Sequence, residues 1–204
     1  MENHITDTSQ DLAQLQLDLI KKRKSTVAFS EQEVTKDQLN QLFEAARWAA
    51  SCFNEQPWRF IVAQKSQEGL FEKVLNGINE HNQVWAKNAP VLMLTFAKKT
   101  FAKNEKPNMH YMHDLGLAVG NMSAQATAMS LYLHQMAGIV RENIQKDFDI
   151  PEDYEIVSGI ALGYKLDIEN VPEEFKLRET KERTRKSLNE IVFDEAWGES
   201  SFKN

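Results

Sequence analysis

The sequence predicts one mixed α/β domain. Three observations carry that reading. The chain has 204 residues, 42% of them hydrophobic, enough to bury a substantial core in a single unit. Short runs rich in β-branched and aromatic residues alternate with helical periodicities along its length. No internal repeat, low-complexity tract or linker divides it, so residues 1–204 are taken as one domain with a polar, weakly periodic tail from about 166 to 204.

The elements follow in order. Leu12, Leu15, Leu19 and Ile20 recur at helical spacing over residues 8–23, behind a Thr8 or Ser9 cap. Thr35 caps a second helix whose apolar face is Leu39, Leu42, Phe43 and Ala46. Arg59–Gln64 and Val91–Ala97 are short apolar runs of strand character, with a surface helix over Ser66–Leu75 between them. Asn108–Leu131 is a long helical stretch carrying Gly116, Gly120, Ala124 and Ala128 on one face, a pattern suited to close helix–helix contact. Arg141–Phe148 forms a short helix, and Glu155–Gly163 a third, central strand.

Charge and cysteine usage narrow the function classes. A net charge of −6 argues against a nucleic-acid or anionic-membrane partner. Basic residues nevertheless cluster at 21–24 and 181–186, which suggests local anion binding. The single cysteine, Cys52, excludes an intrachain disulfide framework and fits a reducing compartment. The polar N-terminus lacks the apolar region of a secretory signal and no window approaches a membrane span, so the cytoplasm is the expected location.

Glycine-rich nucleotide loops, H-E-x-x-H and G-x-S-x-G are all missing from the sequence. A bound nucleotide cofactor would then be held by arginine and lysine, whose donors suit a terminal phosphate. Arg23-Lys24-Ser25 supplies such donors, with Ala28-Phe29 following; on its own it is a basic helix end favoured by the helix dipole. The stretch Ala50-Ser51-Cys52-Phe53-Asn54-Glu55-Gln56-Pro57-Trp58 links a helix to a strand. Pro57 rigidifies the turn and pushes Gln56 toward extended geometry, and Trp58 anchors the strand start. Cys52 is a packed thiol before it is a nucleophile. His110, His113 and Asp114 share a helix face but lack a fourth ligand, so a capping cluster outweighs a metal site.

Together the segment around Arg23, the N-x-Q-P-W turn and the late pair Arg183 and Arg185 resemble the FMN-dependent nitroreductase family, over roughly Leu19 to Trp197. The resemblance implies an α+β fold with a central, mostly antiparallel sheet flanked by helices, and an intertwined homodimer with two FMN sites at its interface. Arg23, Lys24 and Ser25 match the family's opening signature, while Val27 stands where a second cation is usual. The resemblance thus implies a flavin lacking one stabilising charge near N1, with a more negative potential. Ala50, Ser51, Cys52 and Asn54 match a loop that touches the flavin of the partner subunit, with Ala50 and Cys52 departing from the usual P-S-S. Gln135, Met136, Ala137 and Gly138 match the turn lying against flavin N5. Asn82 falls near a flavin-contacting asparagine, and Arg183 with Arg185 match the late phosphate clamp. The implied activity is ping-pong: NADH or NADPH reduces the flavin, and a small-molecule acceptor such as a nitroaromatic or quinone reoxidises it. No single acid–base residue is singled out. Alternatives are a family member with another reaction, such as reductive dehalogenation or flavin destruction, and a non-catalytic dimeric flavin-binding protein or helical scaffold.

Overall fold

The structure is a computed structural model that describes residues 5–194 and 196–202. Four strands form one sheet in the order β1-β2-β4-β3: β1 (Trp58–Gln64), β2 (Val91–Lys98), β3 (Tyr132–Met136) and β4 (Tyr154–Gly163). Every neighbouring pair is antiparallel. The helices are α1 (Ile5–Lys22), α2 (Lys36–Arg47), α3 (Glu68–Asn76), α4 (Glu80–Ala86), α5 (Tyr111–Ala128), α6 (Arg141–Phe148) and α7 (Glu173–Thr180). The α+β class and the antiparallel sheet agree with expectation.

Burial on both faces explains the near-continuous apolar run of β2. Val91 and Met93 meet Leu42 and Ala46 of α2 and Leu115, Val119 and Met122 of α5 in one core layer. Leu92, Leu94 and Phe96 point the other way, into a layer with Phe71, Val74, Trp85 and Ile144. A register shift opposite Thr95/Phe96 lets Ile156 and Ala161 of β4 share that second layer. On α2, Thr35 and Gln38 form the reciprocal capping box expected of the sequence. Helix α5 stops where Ser130 turns left-handed and the Leu131 N–H returns to the Ala126 carbonyl at 2.8 Å.

Several expectations need correction. Thr8 and Ser9 lie inside α1 rather than capping it, since capping preference is weak against the pull of continued helix. Helix α5 is three residues shorter at each end than predicted. Gln135 and Met136 belong to edge strand β3, which the polar pair His134–Gln135 concealed. Helix α4 also lacked a clear sequence signal, and the segment read as an extended tail contains α7. Gln56 is not extended: its φ is 52°, with its N–H held by Ser51 Oγ at 3.0 Å.

Ile160 of β4, an interior strand, is fully buried in the first core layer. Ile160→Ala is expected to cost about 2–5 kcal/mol in chemical denaturation, with the circular-dichroism spectrum unchanged.

Candidate functional site

A recess of about 530 Å³ opens between the C-terminal end of α1, the second half of α5, strand β3 and the tail. Its lining includes Lys21, Arg23, Arg183, Arg185, Gln135, Ser123 and Gly120, and no acidic residue among those described. That size suits a small organic ligand and the charge suits an anion. The Arg23 guanidinium is pushed below its ordinary pKa, by burial first and then by Arg183 and Arg185. Mutual repulsion of this kind is relieved by an anion.

The local fold explains how these cations meet. Helix α1 ends with carbonyls that its own backbone cannot satisfy. Arg183 donates to one of them, the Lys21 carbonyl, and to the Arg23 carbonyl just beyond the helix, so it docks the tail while lining the recess. Arg185 bonds only its neighbour's carbonyl, that of Thr184, among the bonds described. Ser25 Oγ accepts from Arg23 at 3.1 Å and orients that guanidinium.

A residue that sequence reasoning missed completes the construction. Glu179 of α7 is 3% exposed. Its carboxylate accepts the Val27 N–H at 2.7 Å and the Thr26 hydroxyl at 2.9 Å, with Lys24 Nζ at 3.6 Å and Lys165 Nζ at 3.4 Å. Burial pushes this carboxyl up, but the Val27 and Thr26 hydrogen bonds and the two lysines outweigh it and hold the pKa below the ordinary 4.5. The Thr26 carbonyl in turn accepts from His134 Nδ1 at 2.7 Å, which fixes the ring tautomer. That ring stacks on Trp85 at 4.5 Å, and the Arg178 guanidinium lies over the same indole. Burial chiefly keeps His134 below its ordinary pKa. A lone glutamate in a polar tail carries no local pattern that would have revealed this role.

The predicted site residues therefore divide. Arg23, Gln135, Arg183 and Arg185 converge on the recess, with Ser25 beside them. Lys24 does not: its ammonium is spent on Glu179, including the backbone carbonyl. Val27 is 1% exposed and packs in the second core layer, so the structure does not bring its side chain to the recess. Met136 is likewise buried in that layer, and Ala137 is exposed at the strand end. Gly138 faces two amides: a Cβ there would lie 2.3 Å from Asn79 Nδ2 and 2.8 Å from Asn82 Nδ2. Asn82 thus does sit at the 137–138 turn, beside the Asn79 cap of α4.

Ala50, Ser51, Cys52 and Asn54 lie elsewhere. Their loop is tied to Asp114 in the first turn of α5, which accepts the Cys52 N–H at 2.9 Å. Ser123, in the recess, is about 13 Å further along the same helix. In this loop Phe53 (φ 52°), Asn54 (φ 57°) and Gln56 (φ 52°) are all left-handed, each costing on the order of 1–3 kcal/mol. Asp114 also accepts from His113 Nδ1 at 3.2 Å, and no group of three or more metal-ligating side chains occurs among the described residues.

The sequence profile of the nitroreductase family matches residues 20–164. The chain belongs to the nitroreductase family. A crystal structure of an FMN-containing oxidoreductase superposes with a TM-score of 0.81 at 31% identity, covering 89% of this chain and 92% of that one. A Clostridium difficile nitroreductase family protein is 26% identical with a TM-score of 0.68, over 87% of this chain and 96% of its own. The FMN reductase [NAD(P)H] of Bacillus subtilis is 26% identical over 163 residues, 71% of this chain and 63% of that protein. Nitroreductase membership makes the chain an oxidoreductase by family. Among the described residues, no helix is long and apolar enough to cross a membrane.

Glu179→Gln tests how Glu179 fastens the tail to residues 24–27. A carboxylate with a depressed folded pKa contributes stability above its ordinary 4.5 and loses it as pH falls through the lower folded value. The variant is expected to unfold more easily at pH 7 than the parent, with the gap closing as pH falls below the ordinary 4.5 and through the lower folded value in denaturation series.

Proposed function

We propose that this nitroreductase-family chain is an NAD(P)H-dependent FMN oxidoreductase that works as a homodimer and passes electrons to a nitroaromatic, a quinone or a similar small acceptor. The single observation that carries the reading is the recess: four cations and a strand-end glutamine around a cavity of small-molecule size. The donor set fits a flavin phosphate. Arg185 and Arg23 offer forked donors, Lys21 a point charge, and Gln135 the mixed donor and acceptor that a polar ring edge or ribityl chain requires. The FMN named for one structural neighbour and the NAD(P)H named for the Bacillus subtilis relative support the choice of cofactor and donor.

When bound, FMN supplies the capacity to accept a hydride and release electrons to a second substrate. The chain's own residues anchor and orient. Arg185 and Arg23 would hold the phosphate, and α5 walls the cavity without adding bulk at Gly120. No side chain in the recess is placed to act as an acid or base in the described structure, so positioning dominates.

Two features support a second copy. Helix α5 presents Gly116 and Gly120 with open space beyond both, a surface on which another helix can approach closely. Leu12, Leu15 and Ile20 of α1 and Leu117 of α5 are exposed, so the apolar stripe predicted for α1 is left uncovered by its own chain. The Cys52–Asn54 loop, distant from the recess of its own chain, would then serve the recess of the other copy. A cytoplasmic location is retained as part of this reading.

The experiment is direct. The purified protein is expected to be yellow or to take up FMN, to run as a dimer in light scattering, and to bleach anaerobically with NADH or NADPH. Saturating FMN at about 100 times Kd should stabilise it by about 2.7 kcal/mol. Arg185→Ala should weaken FMN by about 2 kcal/mol with little change in apo stability. A colourless monomer that ignores FMN contradicts the proposal.

A further inference from the structure

The loop from Ser51 to Gln56 is held in an unfavourable shape without an apparent return within its own chain. Phe53 is 90% exposed, yet its backbone is left-handed, a conformation that bulky side chains rarely adopt. Such conformations persist where surroundings over-determine them, and here the restraints are visible. Ser51 Oγ accepts the Gln56 N–H at 3.0 Å. Glu55 Oε1 accepts the Ala102 N–H at 2.7 Å, and the Phe53 ring meets Phe101 edge-on at 5.9 Å. These restraints sit near the surface. The one that reaches the interior is Asp114, 2% exposed in the first turn of α5, whose Oδ2 accepts the Cys52 N–H while Oδ1 meets His113.

We propose that Asp114 is a positioning residue for the flavin chemistry: its buried carboxylate sets the left-handed loop that presents Asn54 and its neighbours to the cofactor recess of a second copy. This rests on the FMN homodimer proposed above. A carboxylate suits the task because it accepts on both oxygens at once, so one side chain fixes the loop and a neighbouring imidazole together. Its place on α5 matters equally. The same helix carries Gly120 and Ser123 of the recess and the open faces of Gly116 and Gly120, so loop, recess and approach surface share one rigid body. Asp114 touches neither the recess nor a reacting atom. It acts through the loop.

The test uses the full-length protein with FMN as probe. Asp114→Ala removes the acceptor, whereas Asp114→Asn keeps an oxygen able to receive the Cys52 N–H. Expected results are an Ala variant that binds FMN roughly tenfold more weakly, with a shifted visible flavin spectrum and circular dichroism retained, and an Asn variant closer to the parent. A heterodimer of Asp114→Ala and Arg185→Ala chains, purified through two tags, pairs the intact loop of one chain with the intact recess of the other. It should recover about half the wild-type FMN sites, because one of two symmetry-related sites is whole. Failure of the wild type to bind FMN would sink the functional reading itself. Wild-type binding together with unchanged affinity and spectrum in Asp114→Ala overturns the Asp114 role. So do equal losses in Ala and Asn, or a heterodimer no better than its parent homodimers.

Discussion

The carboxylate of Glu179 is the constraint on which the rest of the site depends. Burying a charge is costly unless hydrogen bonds and counter-charges surround it. Here a backbone N–H, a hydroxyl and two ammonium groups do so, drawn from residues 24–27 and from Lys165. The tail is thereby fastened to the segment that follows α1. Four residues later Arg183 donates to the Lys21 carbonyl in the last turn of that helix and to the Arg23 carbonyl beyond it. Only with both fastenings in place do Arg23, Arg183 and Arg185 face a common cavity. Burial first, and then the neighbouring Arg183 and Arg185, disfavour the charge on Arg23. An anion in that cavity would offset both effects.

The same logic separates basic residues that look alike in sequence. Lys24 and Arg23 are adjacent, yet one neutralises a buried acid and the other borders the recess. Arg183 and Arg185 are two residues apart, yet one is engaged with helix carbonyls and the other bonds only locally. Position on the chain does not decide such roles. The partner that each charge finds does.

Much of the architecture was legible because it rests on local rules. The capping box of Thr35 and Gln38, the apolar run of β2 and the Pro57–Trp58 strand start all announce themselves within a few residues. The convergence of Arg23 with Arg183 and Arg185 was legible only through family resemblance, since some 160 residues separate them in sequence. What stayed hidden depends on tertiary partners. Strand β3 contains His134 and Gln135, polar residues that look unlike a strand until Thr26 and the recess are placed beside them. Helix α7 lies in a polar stretch whose anchors, Glu179 and Phe175, find their partners far away in sequence. Asp114 was visible as part of a histidine cluster and does meet His113, but its second partner, the Cys52 N–H, lies 62 residues away.

In the proposed function, guanidinium groups gathered from two distant parts of the chain grip a phosphate. Calorimetric titration of the wild-type protein with FMN and with riboflavin isolates that grip, because the two ligands share a ring system and differ in the phosphate. A guanidinium grip on the phosphate gives tight FMN binding that weakens steeply with added salt, and riboflavin binding weaker by at least about a hundredfold. Equal affinities for the two ligands, insensitive to salt, would contradict it.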